Sequence, residues 1–364
     1  MKNPIHRESL LKGAGTFGVF TVAGLGVLCV FTVSGETLVA LRGLSVGFIL
    51  LALVAAIADL LIGAARYQIF LTRIRPGSPF GLPIRADLAN RFIGAVTPSQ
   101  TGGGPAQVFI LFRGGIPVPD ALSFLAINFL STLVFFLIAG GFTAYAFRGE
   151  FSEGVVELLV RYGFVAFAAM GVFVFVALLR PDLIARPCVA LAARLRGRQG
   201  WAALVSRGCD GVVAVLGRYR DACWRFISGS PRLLVYSFAL TVVLYLNKFT
   251  LGYFLLRGLG VDAPYLEVLA VQALLQFILY VAPSPGGSGI AELTTAALMA
   301  RFMEAHLLGV YAIAFRFFLL YLPAAVGTFV LMSELRPGGD RNGRLPWPSP
   351  RRPAYPEPEG GTLQ

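Results

Sequence analysis

The chain has 364 residues, of which hydrophobic types make up 56% and charged types only 14%, and its mean hydropathy is +0.73. That balance excludes an ordinary soluble domain and sets the class as an integral membrane protein. A net charge of +12 with a pI near 10.0 would suit a nucleic-acid partner, but nearly all the Lys and Arg fall in loops between apolar runs, so membrane topology accounts for them and no nucleic acid is implied.

Apolar runs long enough to cross, at about 20 residues each, fall near 17–33, 47–70, 121–147, 162–179, 233–257 and 308–332. Span 17–33 is read as a true span rather than a secretory signal, because no small-x-small cleavage site follows Val33. Basic residues mark one side: Lys2, Arg7 and Lys12; then Arg73, Arg75, Arg85 and Arg91 in the loop 71–91; then ten Arg over 180–232. The intervening loops carry Glu36, then Glu150, Glu153 and Glu157, then Asp262 and Glu267. Placing the basic segments inside puts both termini in the cytoplasm. The connector 180–232 interleaves Trp201 and Trp224 with arginines; it either lies on anionic headgroups or is an ordinary positive-inside loop. Residues 336–364, rich in Pro and Arg, are expected to be a disordered cytoplasmic tail behind a membrane domain over 1–335. Cys29, Cys188, Cys209 and Cys223 have no metal-binding spacing, and His6 and His306 lie outside the spans, so neither a cofactor nor a metal is expected.

Two stretches depart from the pattern of simple spans. Arg91–Gln107 (RFIGAVTPSQTGGGPAQ) and Gln276–Glu292 (QFILYVAPSPGGSGIAE) align without a gap, with eight of seventeen positions identical. This is an internal repeat. In each copy an apolar run meets Pro-Ser (Pro98-Ser99 and Pro283-Ser284) and passes through glycines before a second helix-forming run. Proline removes a backbone donor and glycine is a poor helix residue, so the helix must break there. Each region, 86–112 and 264–303, is therefore expected to be a helical hairpin that re-enters the membrane, with longer arms in the second. With the first hairpin entering from the cytoplasm and the second from outside, repeat 1 (about 44–147) and repeat 2 (about 233–332) are inverted, and their tips meet near the midplane. The expected fold is all-α: six full-length spans plus two broken re-entrant hairpins.

Helix N-termini at such breaks present unpaired N–H groups to an anion. The candidate binding residues are Ser99, Gly102, Gly103, Gly104 and Gln107 at the first break, with Pro105 opening the helix after Gly104; the second break offers Ser284, Gly286, Gly287, Ser288, Gly289 and Glu292. Glu292, three residues after Gly289, is read either as a helix cap or as the partner of a buried cation. Ionisable residues within spans are Asp59, Arg66, Lys248 and Arg316. Lys248 and Arg316 both lie about 12–14 Å from the expected outer ends at helical rise, and are read as contacts for a headgroup phosphate or as internal partners of Glu292 and Asp59. Arg66, near the inner end of its span, is expected to snorkel to the interface. Asn128, Ser131, Asn247, Gln272 and Gln276 either line a groove or bond across helices; Tyr321 joins the candidates.

The segments TPSQTGGGPAQVFILFRGGIP (97–117), PSPGGSGIAE (283–292), LNKFTLGYFLLRGLG (246–260) and FRFFLLYLPAAVG (315–327) together resemble a flippase-like family that includes the transmembrane region of lysylphosphatidylglycerol synthase, the multiple peptide resistance factor. The resemblance runs over most of 10–335. It implies a bacterial or archaeal inner-membrane protein that moves an anionic, aminoacylated or isoprenoid-linked lipid between leaflets, with a membrane phospholipid or lipid-linked substrate as partner. The matching positions include Lys248, Arg316, Tyr321, Pro323 and Glu292; Gln100 and Gln107 stand where many members carry arginine and glutamate. Nothing after residue 335 resembles the synthase's soluble transferase domain, so a non-enzyme is expected. An intramembrane enzyme or accessory subunit of lipid biosynthesis and a small-anion transporter stand as alternatives, and homo-oligomerisation is left open.

Overall fold

The computed structural model describes residues 43–97, 100–146, 155–180, 216–280 and 287–335, with positions 183, 186, 190, 191, 193, 194 and 284 besides. The expected span 17–33, most of the connector before 216, and the tail lie outside the described residues. Those described form helices: α1 (Val46–Ile74), α2 (Gly81–Val96), α3 (Gly103–Arg113), α4 (Val118–Ala146), α5 (Val155–Leu179), α6 (Pro231–Gly258), α7 (Tyr265–Tyr280), α8 (Ile290–Met299), α9 (Ala305–Arg316) and α10 (Leu322–Leu335). A π-helical turn, Phe317–Tyr321, joins the last two. No strand occurs among the described residues. Among the described residues, four stretches are long and apolar enough to cross a membrane: Val46–Ile74, Val118–Thr143, Pro231–Gly258 and Ala305–Glu334.

Both repeated motifs break the helix where expected. The first hairpin is α2 and α3, with arms of 16 and 11 residues; the second is α7 and α8, with arms of 16 and 10 residues. The second copy therefore does not have longer arms, because α8 stops at Met299 and a turn precedes α9. The expected loop 71–91 is also shorter than its arginines suggested. Helix α1 runs to Ile74 and α2 starts at Gly81, so Arg85 and Arg91 are helical. Pro83 does not prevent that start, since the first helical N–H groups have no intrahelical partner to lose.

Glycines in the first break are explained by contact. A Cβ on Gly102 would fall 2.7 Å from Ile93 and Thr97 methyls, and one on Gly103 would fall 2.7 Å from Asn90 Oδ1. The two arms thus pass too closely for any side chain. In lipid, where tails are as apolar as the side chains, close backbone approach is a main source of helix association. Gly327 of α10 is the tightest case: a Cβ there would overlap the Leu88 carbonyl oxygen of α2.

Packing divides into three cores. One joins α1, α2, α3 and α4 through Phe70, Leu71, Leu82, Phe92, Ile110 and Phe124. A second gathers Leu251, Val271, Leu275, Met299, Tyr311 and Phe315 around Ala52 and Ala55 of α1. The third is an aromatic cluster from α4, α5, α6 and α7, where Phe167 stacks on Phe277 at 4.5 Å and Phe136 meets Tyr245 edge-on at 4.6 Å. The described end of the connector, a helix over 216–229, docks on the first core. Phe226 meets Phe70 edge-on at 5.4 Å, and Arg225 donates to Asp120 at 2.7 Å. This part of the connector is packed against protein, with Trp224 exposed.

Two outcomes follow from this packing. Gly327→Leu is expected to lower stability by about 1–3 kcal/mol or more, read as a lower unfolding temperature in detergent. Burial pushes the Cys223 thiol above its ordinary range, partly offset by hydrogen bonding with Ser123 and Tyr219. With Cys29, Cys188 and Cys209 changed to Ser, Cys223 is expected to resist maleimide in the folded protein at pH 7 and to react on unfolding.

Candidate functional site

Two groups of ion-paired residues lie within the helices beside the repeated motifs, and Arg66 belongs to neither. The first is centred on Asp59, fully buried on α1. Its Oδ1 lies 2.7 Å from Lys248 Nζ on α6, and its Oδ2 accepts from Arg91 Nη1 on α2 at 2.6 Å. Arg91 Nε also donates to Asp87 Oδ2 at 2.8 Å. Asp87, Arg91, Asp59 and Lys248 thus form one chain of alternating charge. Gly63 makes room for it, since a Cβ there would touch Asp87 Oδ2 at 3.4 Å and Arg91 Nη2 at 3.5 Å. Beside it, Asn247 Nδ2 donates to the Ala55 carbonyl at 2.8 Å, a second polar tie between α1 and α6.

The second group sits at the second break. Gly289, with φ of 83°, caps α8, and its N–H donates to Glu292 Oε2 at 2.6 Å. The other oxygen, Oε1, lies 3.0 Å from Arg316 Nε. One carboxylate therefore serves as helix cap and as counter-ion, because its two oxygens point to different partners. Arg316 Nη2 also donates to Ser288 Oγ at 3.3 Å, and the guanidinium stands 5.6 Å over the Tyr321 ring. Arg316 closes α9 just before the π turn, in which Leu322 N–H reaches back to the Phe317 carbonyl. Pro323 follows immediately; lacking a donor and clashing with the preceding turn, it gives the local cause of the wider turn.

The first break is organised without charge. Gln107, buried on α3, accepts from Asn90 Nδ2 at 2.8 Å, and Thr97 Oγ1 accepts from the Gly102 N–H at 3.0 Å. Gln100 takes a left-handed backbone (φ 56°). Helix α3 begins at Gly103, so Pro105 occupies its third position and not its first; the N–H it lacks would have been unpaired there too. A Cβ on Gly104 would meet nothing within 4 Å, leaving its Cα face open. At the second break Gly287 also has positive φ (71°), and Ser284 Oγ is buried without a hydrogen-bond partner. Ser99 and Gly286 lie outside the described residues.

Lys248 and Arg316 thus take different carboxylates, and each of the candidate cations has an acidic partner. Arg66 does not snorkel: it is 5% exposed, and its Nη2 donates to the Asn128 carbonyl at 2.8 Å and Thr132 Oγ1 at 3.1 Å. The helix continues past the apolar run to Ile74, which leaves Arg66 two turns inside and facing α4. Asp87 and Arg91 were missed as site residues because they looked like loop. Their i, i+4 spacing next to the repeated motif was the available signal. Asn128 also accepts from Ser237 Oγ at 3.1 Å, and Ser237 meets Ser131 at 3.2 Å, so these residues bond between α4 and α6.

A sequence profile described as "Lysylphosphatidylglycerol synthase TM region" matches residues 16–327. A UPF0104 membrane protein of Archaeoglobus fulgidus is 26% identical over 232 residues, covering 61% of this chain and 67% of that protein.

Removing one member of a buried ion pair strands the other. Asp59→Ala is expected to destabilise by about 3–5 kcal/mol, and the Asp59→Ala/Lys248→Met double variant by less than Asp59→Ala alone. Equilibrium unfolding in mixed micelles measures both, and a double variant as unstable as the sum of the singles would contradict the pairing.

Proposed function

Because the chain belongs to the family of the lysylphosphatidylglycerol synthase transmembrane region, we propose that it is a lipid translocase. In this reading it moves an anionic, aminoacylated or isoprenoid-linked lipid between the leaflets of a bacterial or archaeal inner membrane, without altering it chemically. The observation that carries the reading is the ion-pair chain across the two halves of the sequence. Asp59, Asp87 and Arg91 come from repeat 1 and Lys248 from repeat 2, and Arg91 stands on the arm that leads into the first helix break. Charges inside an apolar interior cost several kcal/mol each unless paired, and ion pairs spanning two helices are where a charged headgroup can exchange partners with the protein.

The arrangement invoked is six spans with two re-entrant hairpins, related as inverted repeats, with both termini in the cytoplasm. The headgroup travels through a polar groove between the hairpins while acyl chains remain in lipid. Its phosphate displaces a carboxylate from Lys248 or Arg316 as the halves separate, and the released carboxylate can hold a cationic group on the substrate. The family membership and the buried network support this route. A gradient or downhill movement supplies the energy.

In proteoliposomes containing fluorescent phosphatidylglycerol, the intact chain is expected to accelerate exchange between leaflets. Lys248→Ala and Arg316→Ala are each expected to slow it about tenfold or more, the effect of one lost charge-assisted hydrogen bond. Unchanged exchange in both variants would reject the assignment.

A further inference from the structure

Arg66 stands apart from the other cations buried within the helices. Arg91 and Lys248 share Asp59, and Arg316 has Glu292. Arg66 is bonded only to neutral acceptors, the Asn128 carbonyl and Thr132 Oγ1, and no carboxylate lies within ion-pair distance of it among the described residues. Its Nε is buried without a hydrogen-bond partner. A buried lysine can shed its proton, but a guanidinium remains charged. A permanent charge in this position therefore calls for an anion.

The surroundings supply neutral donors, and the carboxylate nearest Tyr67, Asp87, is already held by Arg91. Gln107 uses its Oε1 to accept from Asn90, while its Nε2 is directed to Tyr67, next to Arg66 in the chain. Tyr280 packs on Phe129 and Phe136 at 6.2 and 5.6 Å, and Tyr245 on Phe136 at 4.6 Å; these phenylalanines flank Thr132 on α4, the residue that accepts from Arg66. Tyr280 also packs against Phe167 at 5.6 Å and remains 39% exposed. Gln107 also sits in the first turns of α3, where the helix dipole favours negative charge.

We propose that Arg66, with the Gln107 amide and the Tyr67, Tyr245 and Tyr280 hydroxyls, forms a binding site for a singly charged phosphate oxyanion. One non-bridging oxygen takes the Arg66 Nε–H and the other takes the neutral donors. The site deepens the translocase reading, on which it rests for a lipid as the source of that phosphate. Arg66 is seven residues from Asp59, on the same face of α1 and about 10 Å along the axis, so the phosphate site and the ion-pair chain face the same side of that helix.

The test uses the full chain in dodecyl maltoside, with dihexanoyl phosphatidylglycerol, inorganic phosphate and phosphate-free dihexanoylglycerol titrated calorimetrically. The phosphate-bearing lipid is expected to bind, and Arg66→Gln to weaken it about tenfold or more, as for a lost charge-assisted contact, with Arg66→Lys retaining more affinity. Gln107→Leu is expected to weaken it by a smaller factor. Binding of dihexanoylglycerol as tight as that of phosphatidylglycerol, or affinity unchanged in Arg66→Gln, would overturn the site. Should Arg66→Gln fail to fold, Gln107→Leu and Tyr280→Phe carry the same decision: unchanged affinity in both overturns it. Inorganic phosphate binding through Arg66 where the lipid does not bind supports the oxyanion site and removes the lipid source. Lipid binding without exchange in proteoliposomes keeps the site and sinks the translocase reading alone.

Discussion

The contact on which the rest depends is the one between Asp59 and its two cations. An isolated carboxylate among apolar helices is too costly to keep, and so is an isolated ammonium. Lys248 at 2.7 Å and Arg91 at 2.6 Å make Asp59 tolerable, and Asp87 does the same for Arg91. That requirement fixes three helices relative to one another: α1 must present Asp59 to α6, and α2 must pass close enough to α1 for Arg91 to reach. Small residues then permit the approach, Gly63 under the ion pairs and Gly327 against the backbone of α2.

Much of the architecture was legible because the bilayer constrains sequence so heavily. Apolar runs of span length announced α1, α4, α6 and the α9–α10 unit, and two Pro-Ser-glycine motifs announced the helix breaks. The capping role of Glu292 followed from its spacing after Gly289. What was not legible depends on direction. Hydropathy reports that Arg66 is near the end of a run, but not which way its side chain points or that the helix outlasts the run by a turn. Arg91 looked like one more loop arginine until α2 was found to start ten residues before it. Partner choice was likewise beyond the sequence, since Glu292 and Asp59 were both within reach of both cations on paper.

The two hairpins solve the same problem by different chemistry. In the first, Asn90 and Gln107 bond side chain to side chain across the break, and glycines let the arms touch. In the second, the position equivalent to Gln107 is Glu292, and a charge there brings Arg316 and, through the π turn before Pro323, a distortion of the following helix. A neutral hinge and a charged one thus stand at corresponding points of the repeat. The neutral one turns its amide nitrogen to Tyr67, whereas the charged one is occupied on both oxygens.

The alternation Asp87, Arg91, Asp59, Lys248 has an electrical consequence. Two negative and two positive groups cancel, so a rearrangement that carried all four together would move no net charge through the membrane field and would do no electrical work. Arg66, lacking such a companion, would couple to the field at about 2.3 kcal/mol per 100 mV for a full crossing. Among the described residues buried in the helices, the paired charges are thus indifferent to membrane voltage, whereas Arg66 would sense it.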